Sequence, residues 1–476
     1  MTNAPASGWR RIDLGAAGIV LAALALRLYR IDAQSAWVDE AWTVHAAASP
    51  WPAMMRQLVT DFNHPPLHTM VASWWFDVVH VGVLQARLLS ALFGTAAVAA
   101  LYWAGRQAFD RRVALIASAL LAVSQLGIVY SQEARGYSLL LLLVVLMIGW
   151  YVRAFRQGRA RDFAACAVAA LLAIYTHYYA GFAIAALLAT EVVFRRQSAI
   201  PGRWWAIAAA GGVIAYLPWL MSGVLSSALH NPQGATDSRW SAPLLAPLYA
   251  LNWFHSGKIN GVRQAAPAVA ALIGGVLYVV PAMFALRGFF DGRDRPLTFA
   301  LVAAVAVPAL GVTTLGALHI VYDVRHISFA LPPYLLLVAR GLTMFSWRPL
   351  RAIWITALVG FTLLSLRADY FVPYKEDYRG ALQIVSAQRR AGDCAVFSSP
   401  DGDSDGSFYW DAYHHDDPPF PIEVPAPSAP ICQRTWLIWD TMWWNAGPGK
   451  PESLMPGTPA GRWKLDGVEV LLYEGK

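Results

Sequence analysis

Asp39 and Glu40 stand side by side between Trp37 and Trp42. Two adjacent carboxylates in an aromatic, interfacial setting favour a raised pKa on one of them, which suits a general base; the plainer alternative is a solvated helix start. His64-Pro65-Pro66 precedes an apolar run. Proline in a first helical turn makes a rigid start, and His64 would then sit at the positive end of that helix, where an anion binds. Ser131-Gln132-Glu133-Ala134-Arg135-Gly136-Tyr137 packs both signs of charge into one short turn. Arg135 there could take a phosphate at headgroup depth with Glu133 orienting it, or the pair could simply close a hairpin. Arg87, the run Tyr322-Asp323-Val324-Arg325-His326 and the cluster Tyr175-Thr176-His177-Tyr178-Tyr179 complete the set, although aromatic clusters are common at membrane interfaces. Cys166, Cys394 and Cys432 show no metal-ligand spacing, and no glycine-rich phosphate loop is present.

The elements that must hold these residues are apolar helices. The chain has 476 residues, 57% hydrophobic and 14% charged, against about 25% charge in soluble domains. Mean hydropathy is +0.42. Apolar runs at about 13–30, 88–105, 113–130, 137–152, 163–180, 181–194, 204–220, 265–286, 297–317, 327–344 and 352–368 approach the length that crosses roughly 30 Å of hydrocarbon. They predict an all-α polytopic membrane protein with about eleven spans. Leu67–Val79 is shorter and carries Asp77, which fits an interfacial or re-entrant helix. Residues 1–368 read as the membrane domain, with interfacial helices in an outer loop, 31–86. Residues 369–476 read as a small α/β domain, with a helix over Arg379–Arg390, strands at Asp393–Ser398, Thr435–Trp439 and Val468–Tyr473, and a proline-rich connector from Pro418 to Pro430.

Charge orients the chain. With Arg10 and Arg11, the short connections at 106–112, 153–162, 195–203, 287–295 and 348–351 hold 17 arginines, and the intervening set is poor in them. The positive-inside rule places the first set in the cytoplasm. The alternation holds only if Leu67–Val79 does not cross. The N-terminus is then cytoplasmic, the first span is retained because Arg27-Leu28-Tyr29-Arg30 follows it without a cleavage signal, and the tail is extracytoplasmic. The expected location is a bacterial inner membrane. On the outer side Cys394 and Cys432 could pair; otherwise they are two buried thiols. From Tyr370 on the chain balances at −6 and the remainder at +13, a topology pattern without the basic stripe of a nucleic-acid binder. A lipid or lipid-sugar transporter would need ionisable groups in mid-span and usually a repeat; neither is visible. A scaffold acting through its tail is a third alternative.

The ordered set Trp37-Val38-Asp39-Glu40-Ala41, His64-Pro65-Pro66-Leu67, Ala86-Arg87-Leu88-Leu89-Ser90-Ala91-Leu92-Phe93-Gly94 and Tyr130-Ser131-Gln132-Glu133-Ala134-Arg135-Gly136-Tyr137 resembles the GT-C glycosyltransferases. The likeness is to family 39-like enzymes related to protein O-mannosyltransferases and lipid A aminoarabinose transferases. It covers residues 1–200 closely and 201–368 loosely. The resemblance implies a sugar taken from a polyprenyl-phosphate carrier on the outer leaflet and passed, with inversion, to an acceptor hydroxyl on a lipid, glycan or protein. It maps the catalytic acid to Asp39, with Glu40 beside it. The outer cations His64, Arg87, Arg135 and Arg325, with Glu133 and Tyr137, are then expected around the carrier phosphate, and Trp37, His177, Tyr178, Tyr322 and His326 near substrate. No metal site or cofactor is required, although a divalent cation is compatible. His64 stands where the aminoarabinose transferases have lysine, as in the mannosyltransferases, but those continue with Gly-Lys where His68-Thr69 follows here, so neither acceptor class carries over.

Overall fold

The computed structural model describes residues 13–230, 246–256, 267–292, 294–317, 324–398, 403–416, 422–423, 432–441, 451, 455 and 457–474. Tyr322 lies outside them, as does most of the proline-rich connector.

Every one of the expected spans falls on helix. Among the described residues, seven helices are long and apolar enough to cross a membrane: Val83–Ala108, Tyr137–Gln157, Gly202–Ser227, Ala268–Phe290, Arg295–Leu315, Arg325–Met344 and Arg348–Phe371. The other expected spans correspond to shorter helices. These are α1 (Leu14–Leu28), α6 (Arg111–Val123) continued by α7 (Gln125–Val129), α9 (Ala160–Thr176) and α10 (Ala180–Val193). The break between α6 and α7 has a local cause. Ser124 leaves the helical conformation at ψ 124°, and its hydroxyl accepts from Gly127 N to start α7.

The loop 31–86 holds three short helices, α2 (Val38–Ala48), α3 (Trp51–Asp61) and α4 (Leu67–Phe76). At 1.5 Å per residue, the ten residues of α4 reach only about 15 Å, half of what a span needs. α5 (Val83–Ala108) and α8 (Tyr137–Gln157) hold the 131–136 turn against α1. Arg27 at the end of α1 donates from Nε to Ser131 Oγ at 3.1 Å, and Gln132 Nε2 donates to the carbonyls of Arg27 and Tyr29 at 2.9 Å each. Only glycine fits at Gly94 of α5, because a Cβ there would collide with Ser131 Oγ.

The tail carries a five-stranded sheet of order β2-β1-β3-β5-β4, from β1 (Asp393–Phe397), β2 (Ile422–Glu423), β3 (Arg434–Asp440), β4 (Gly461–Leu465) and β5 (Val468–Glu474). β1 pairs in parallel with β2 and β3, while β5 pairs antiparallel with β3 and β4. β1 and β3 are buried along their whole length, as central parallel strands are. Cys394 and Cys432 form a disulfide. Helix Tyr378–Gln388 matches the expected helix, and a second helix, Asp403–His414, lies on the same sheet. That second helix packs on α2. Ala36, Ala41 and Val44 share one core with Tyr409, Trp410 and Trp436, and His45 Nδ1 lies 2.6 Å from Asp411 Oδ2. The tail therefore braces the helix that carries Asp39 and Glu40.

Candidate active site

α2 begins after Trp37 and places Asp39 and Glu40 in its first turn, where the helix dipole favours carboxylates. Successive helical side chains diverge by about 100°, so the two acids meet different partners.

Glu40 points inward and is fully buried. Its Oε1 accepts from Arg87 Nε at 2.8 Å and from the Ala134 amide at 3.0 Å. Its Oε2 accepts from Arg87 Nη2 at 2.9 Å and Lys375 Nζ at 2.7 Å. Burial works to raise the Glu40 pKa, but the charges of Arg87 and Lys375 outweigh it and hold the carboxyl below the ordinary carboxylate range. Glu40 is thus no raised-pKa base. Arg87 also differs from expectation. Besides Glu40 it donates to the carbonyls of Ile31, Gln34 and Ser35, so its guanidinium ties the 31–86 loop to α5 rather than facing a ligand. Glu133, likewise buried, has Oε1 at 3.6 Å from Lys375 Nζ; it faces that lysine and does not orient Arg135.

Asp39 turns the other way. Its Oδ2 lies 3.3 Å from Arg325 Nη1 and 3.6 Å from Arg135 Nη2. The Arg325 guanidinium also stacks over Trp37, 4.7 Å from the ring centre. Arg135 is held from behind by the Asp39 carbonyl at 3.1 Å and Thr43 Oγ1 at 3.0 Å. Its Nη2 is 3.0 Å from His64 Nε2. Guanidinium only donates, so His64 must offer a lone pair and is neutral. Burial, then the Arg135 charge, push its pKa well below the ordinary histidine value. His64 is therefore an acceptor that positions Arg135, not the cation that the sequence reading made of it.

Behind this rim the rings of His64 and His177 are 5.6 Å apart, and those of His177 and His326 5.3 Å. Tyr137 lies 6.1 Å from His177 and 6.5 Å from His326. Tyr178 faces elsewhere: its hydroxyl donates to the Phe62 carbonyl at 3.1 Å and lies 3.3 Å from Trp219 Nε1. The structure thus joins Trp37, Asp39, His64, Arg135, Tyr137, His177, Arg325 and His326 in one continuous cluster of contacts, with a recess lined by His64, Arg135, Tyr137 and His177. Glu40, Arg87 and Glu133 form the footing beneath it.

Two residues escaped the sequence reading. Lys375 follows the last apolar helix in a stretch without a motif; only the need to compensate a buried carboxylate pair points to it, and that need appears in three dimensions alone. Asp61 ends α3, where its side chain accepts from Asn63 Nδ2 at 3.0 Å. Burial raises its pKa, with Arg135 working against that. The next residue, Phe62, has φ 41°, a left-handed conformation uncommon outside glycine. Among the described residues no three His, Cys, Asp or Glu side chains converge as metal ligands. Chemically, the recess offers one carboxylate able to accept a proton, two guanidiniums able to meet an anion, and neutral imidazoles able to bind hydroxyls.

Residues 63–221 match the family model described as dolichyl-phosphate-mannose-protein mannosyltransferase. No curated protein matches the chain by sequence. Among solved structures, the chain is similar to ArnT from Cupriavidus metallidurans bound to undecaprenyl phosphate, with 13% identity and a TM-score of 0.60, covering 96% of this chain and 97% of that one. It is also similar to the archaeal oligosaccharyltransferase AglB from Archaeoglobus fulgidus in complex with an inhibitory peptide and a dolichol-phosphate, with 13% identity and a TM-score of 0.53, covering 91% of this chain and 70% of that one. At such identity the likeness establishes the fold. Over nearly its whole length the chain shares the GT-C fold of these structures, and its residues 63–221 match the dolichyl-phosphate-mannose-protein mannosyltransferase family model.

Proposed function

We propose that this protein is a glycosyltransferase that takes a sugar from a polyprenyl-phosphate carrier and passes it, with inversion, to an acceptor hydroxyl on the outer face of the cytoplasmic membrane. The observation that carries this reading is Asp39 held at 3.3 Å and 3.6 Å from the guanidiniums of Arg325 and Arg135. Asp39 is the base: it accepts the proton of the acceptor hydroxyl as that oxygen attacks the anomeric carbon. The bond from the anomeric carbon to the phosphate oxygen breaks, and its electron pair leaves with the polyprenyl phosphate. Arg135 and Arg325 meet the charge that develops there. A single displacement from the face opposite the phosphate inverts the anomeric centre.

Neutral imidazoles do not compete for the phosphate, and the Glu40–Arg87–Lys375–Glu133 group keeps α2 in place. The outer-face assignment is supported by the arginine asymmetry of the connections and by the Cys394–Cys432 disulfide, a bond at home in an oxidising compartment. Division into a membrane domain, 1–368, and an extracytoplasmic domain, 369–476, follows the same reading. The acceptor is a lipid, glycan or protein.

The test supplies purified protein in lipid nanodiscs with polyprenyl-phosphate hexose, labelled in the sugar, and an envelope extract. Label should move to an acceptor and the new linkage should have the opposite anomeric configuration. Movement of intact labelled carrier between leaflets, with no label on any acceptor, would instead mark a transporter.

A further inference from the structure

A cavity of about 460 Å³ lies among the apolar helices α8, α9, α10 and α11 (Gly202–Trp219). Among the described residues, none lines both this cavity and the recess at Arg135. Its cause is readable in two facing helices. At one end Phe163 of α9 meets Trp204 and Trp205 of α11, with ring centres 5.8 Å and 5.0 Å apart. At the other end Tyr175 meets Tyr216 at 4.8 Å, and its hydroxyl donates to the Ala215 carbonyl at 2.6 Å. Between these aromatic pairs the walls include Ala167 and Ala170 of α9 and Ala208, Ala209 and Gly212 of α11. Small residues ordinarily let helices close together; here the bulky rings at both ends hold α9 and α11 apart. A Cβ built on Gly212 meets nothing within 4 Å.

Packed interiors hold few voids larger than a water molecule, and this one is about three times the roughly 150 Å³ that admits a benzene ring. Its described walls are apolar, and their side-chain heteroatoms are the sulfurs of Met147 and Cys166 and the indole nitrogen of Trp205. Trp205 Nε1 is buried without a hydrogen-bond partner, and a buried donor of this kind calls for an acceptor. Arg159, Arg161, Arg196 and Arg203 are exposed at the same end of these helices. Along α11, Arg203, Trp205 and the cavity wall from Ala208 to Val213 therefore follow in order. A glycerophospholipid has the same order: an anionic phosphate, an ester carbonyl that accepts a hydrogen bond, and an acyl chain. A polyprenyl phosphate has no carbonyl between phosphate and chain. Little else holds this helix, since only 11% of the apolar window in Gly202–Ser227 is buried inside the protein.

We infer that this cavity is a structural phospholipid site. One acyl chain fills it, the ester carbonyl accepts from Trp205 Nε1, and the phosphate meets the exposed arginines. The bound chain completes the contact between α9 and α11. The site does not depend on the transferase reading.

The experiment titrates the full chain in detergent with phosphatidylglycerol carrying a diazirine in mid-chain, and maps the photo-crosslinks by mass spectrometry. Crosslinks should saturate on Ala167 and Ala170 at low lipid, well before they appear on Ile207 and Ile214 of α11, which are 66% and 69% exposed. Gly212→Leu fills the cavity and should raise the midpoint for wall crosslinks at least about 10-fold, as expected when a few chain methylenes lose their burial. Trp205→Phe keeps an aromatic ring there and removes the N–H; the midpoint should rise about 5-fold, the weight of one hydrogen bond. If Gly212→Leu does not fold, the wild-type contrast between the cavity wall and the outward face decides. Even labelling of both faces, an unchanged midpoint in either variant, or a lower midpoint for a diazirine-bearing polyprenyl phosphate would overturn the inference.

Discussion

Asp39 Oδ2 lies 3.3 Å from the Arg325 guanidinium although 286 residues separate them in the chain. Asp39 comes from the first turn of α2 and Arg325 from the seven-residue 3-10 helix Val324–Ala330 that leads into Leu331–Met344. The contact joins the 31–86 loop to the second half of the apolar helices. A loss at either end should therefore damage the site without unfolding it.

Arg325→Met removes the charge and the stack on Trp37 together. Its kcat/KM for donor should fall about 10- to 100-fold, or about 1.4 to 2.7 kcal/mol. Arg325→Lys keeps the charge but not the planar stack and should recover part of the loss. Steady-state kinetics on both variants checks this; a Lys variant no better than Met would show that the stack, not the charge, is what counts.

The two adjacent carboxylates should separate cleanly. Glu40→Gln leaves Arg87 and Lys375 without their shared partner, and breaking a buried ion pair costs about 3–5 kcal/mol. It should lower the thermal midpoint strongly. Asp39→Asn, at a half-exposed position, should leave the midpoint within about 0.5 kcal/mol equivalent of wild type while abolishing most transfer. Melting curves beside activity assays of both variants would show the crossover.

Much of this site was legible in the chain itself. Asp39, His64 and Arg135 stand in motifs whose residue types already suggest a base and an anion site, and the arginine-rich connections predict one face for all three. The sequence could not say which way each acid turns. That depends on Arg87 and Lys375, which reach Glu40 from positions 47 and 335 residues away. Nor could it say that His64 is neutral, because the donating Arg135 is 71 residues distant. In the tail, β1, β3 and β5 follow from apolar, β-branched and aromatic runs. Helix Asp403–His414 was missed because three acidic residues break its apolar pattern, and its register is set by packing on α2. β4 alternates half-buried and exposed residues at the sheet edge, too weak a pattern to read alone.

Stability should depend on pH through the histidines first. His68 and His177 sit near 3 in the folded chain and about 6.5 when unfolded. Below about 6.5 the unfolded state takes up protons that the folded state refuses, so stability falls with pH. By pH 5 each ring should cost about 2 kcal/mol, at 1.36 kcal/mol per pH unit. Glu40 acts lower: its depressed value gives stability that is full above about 4.3 and lost as pH drops toward its folded value. Thermal midpoints from pH 7.5 to 4.5 should show the early slope, and His177→Gln should flatten it. A wild-type midpoint that stays level between pH 7 and 5 would contradict the neutral-histidine picture.

Lys375 and Glu133 should behave as one unit with Glu40. Lys375→Met leaves two buried carboxylates facing one cation and should destabilise by about 3–5 kcal/mol. Adding Glu133→Gln should return part of that, giving a coupling of about 0.5–3 kcal/mol in a double-mutant cycle. Strict additivity would mean that the 3.6 Å approach of Lys375 to Glu133 contributes nothing.

The central claim is that Asp39 removes the acceptor proton during sugar transfer. It is tested most directly by acceptor-dependent release of polyprenyl phosphate from polyprenyl-phosphate mannose, measured for wild type and Asp39→Asn in the same nanodiscs. A positioned base contributes about 100- to 10,000-fold, so the variant should release carrier at least about 100 times more slowly while melting like wild type. A folded Asp39→Asn protein that releases carrier at the wild-type rate would contradict the account.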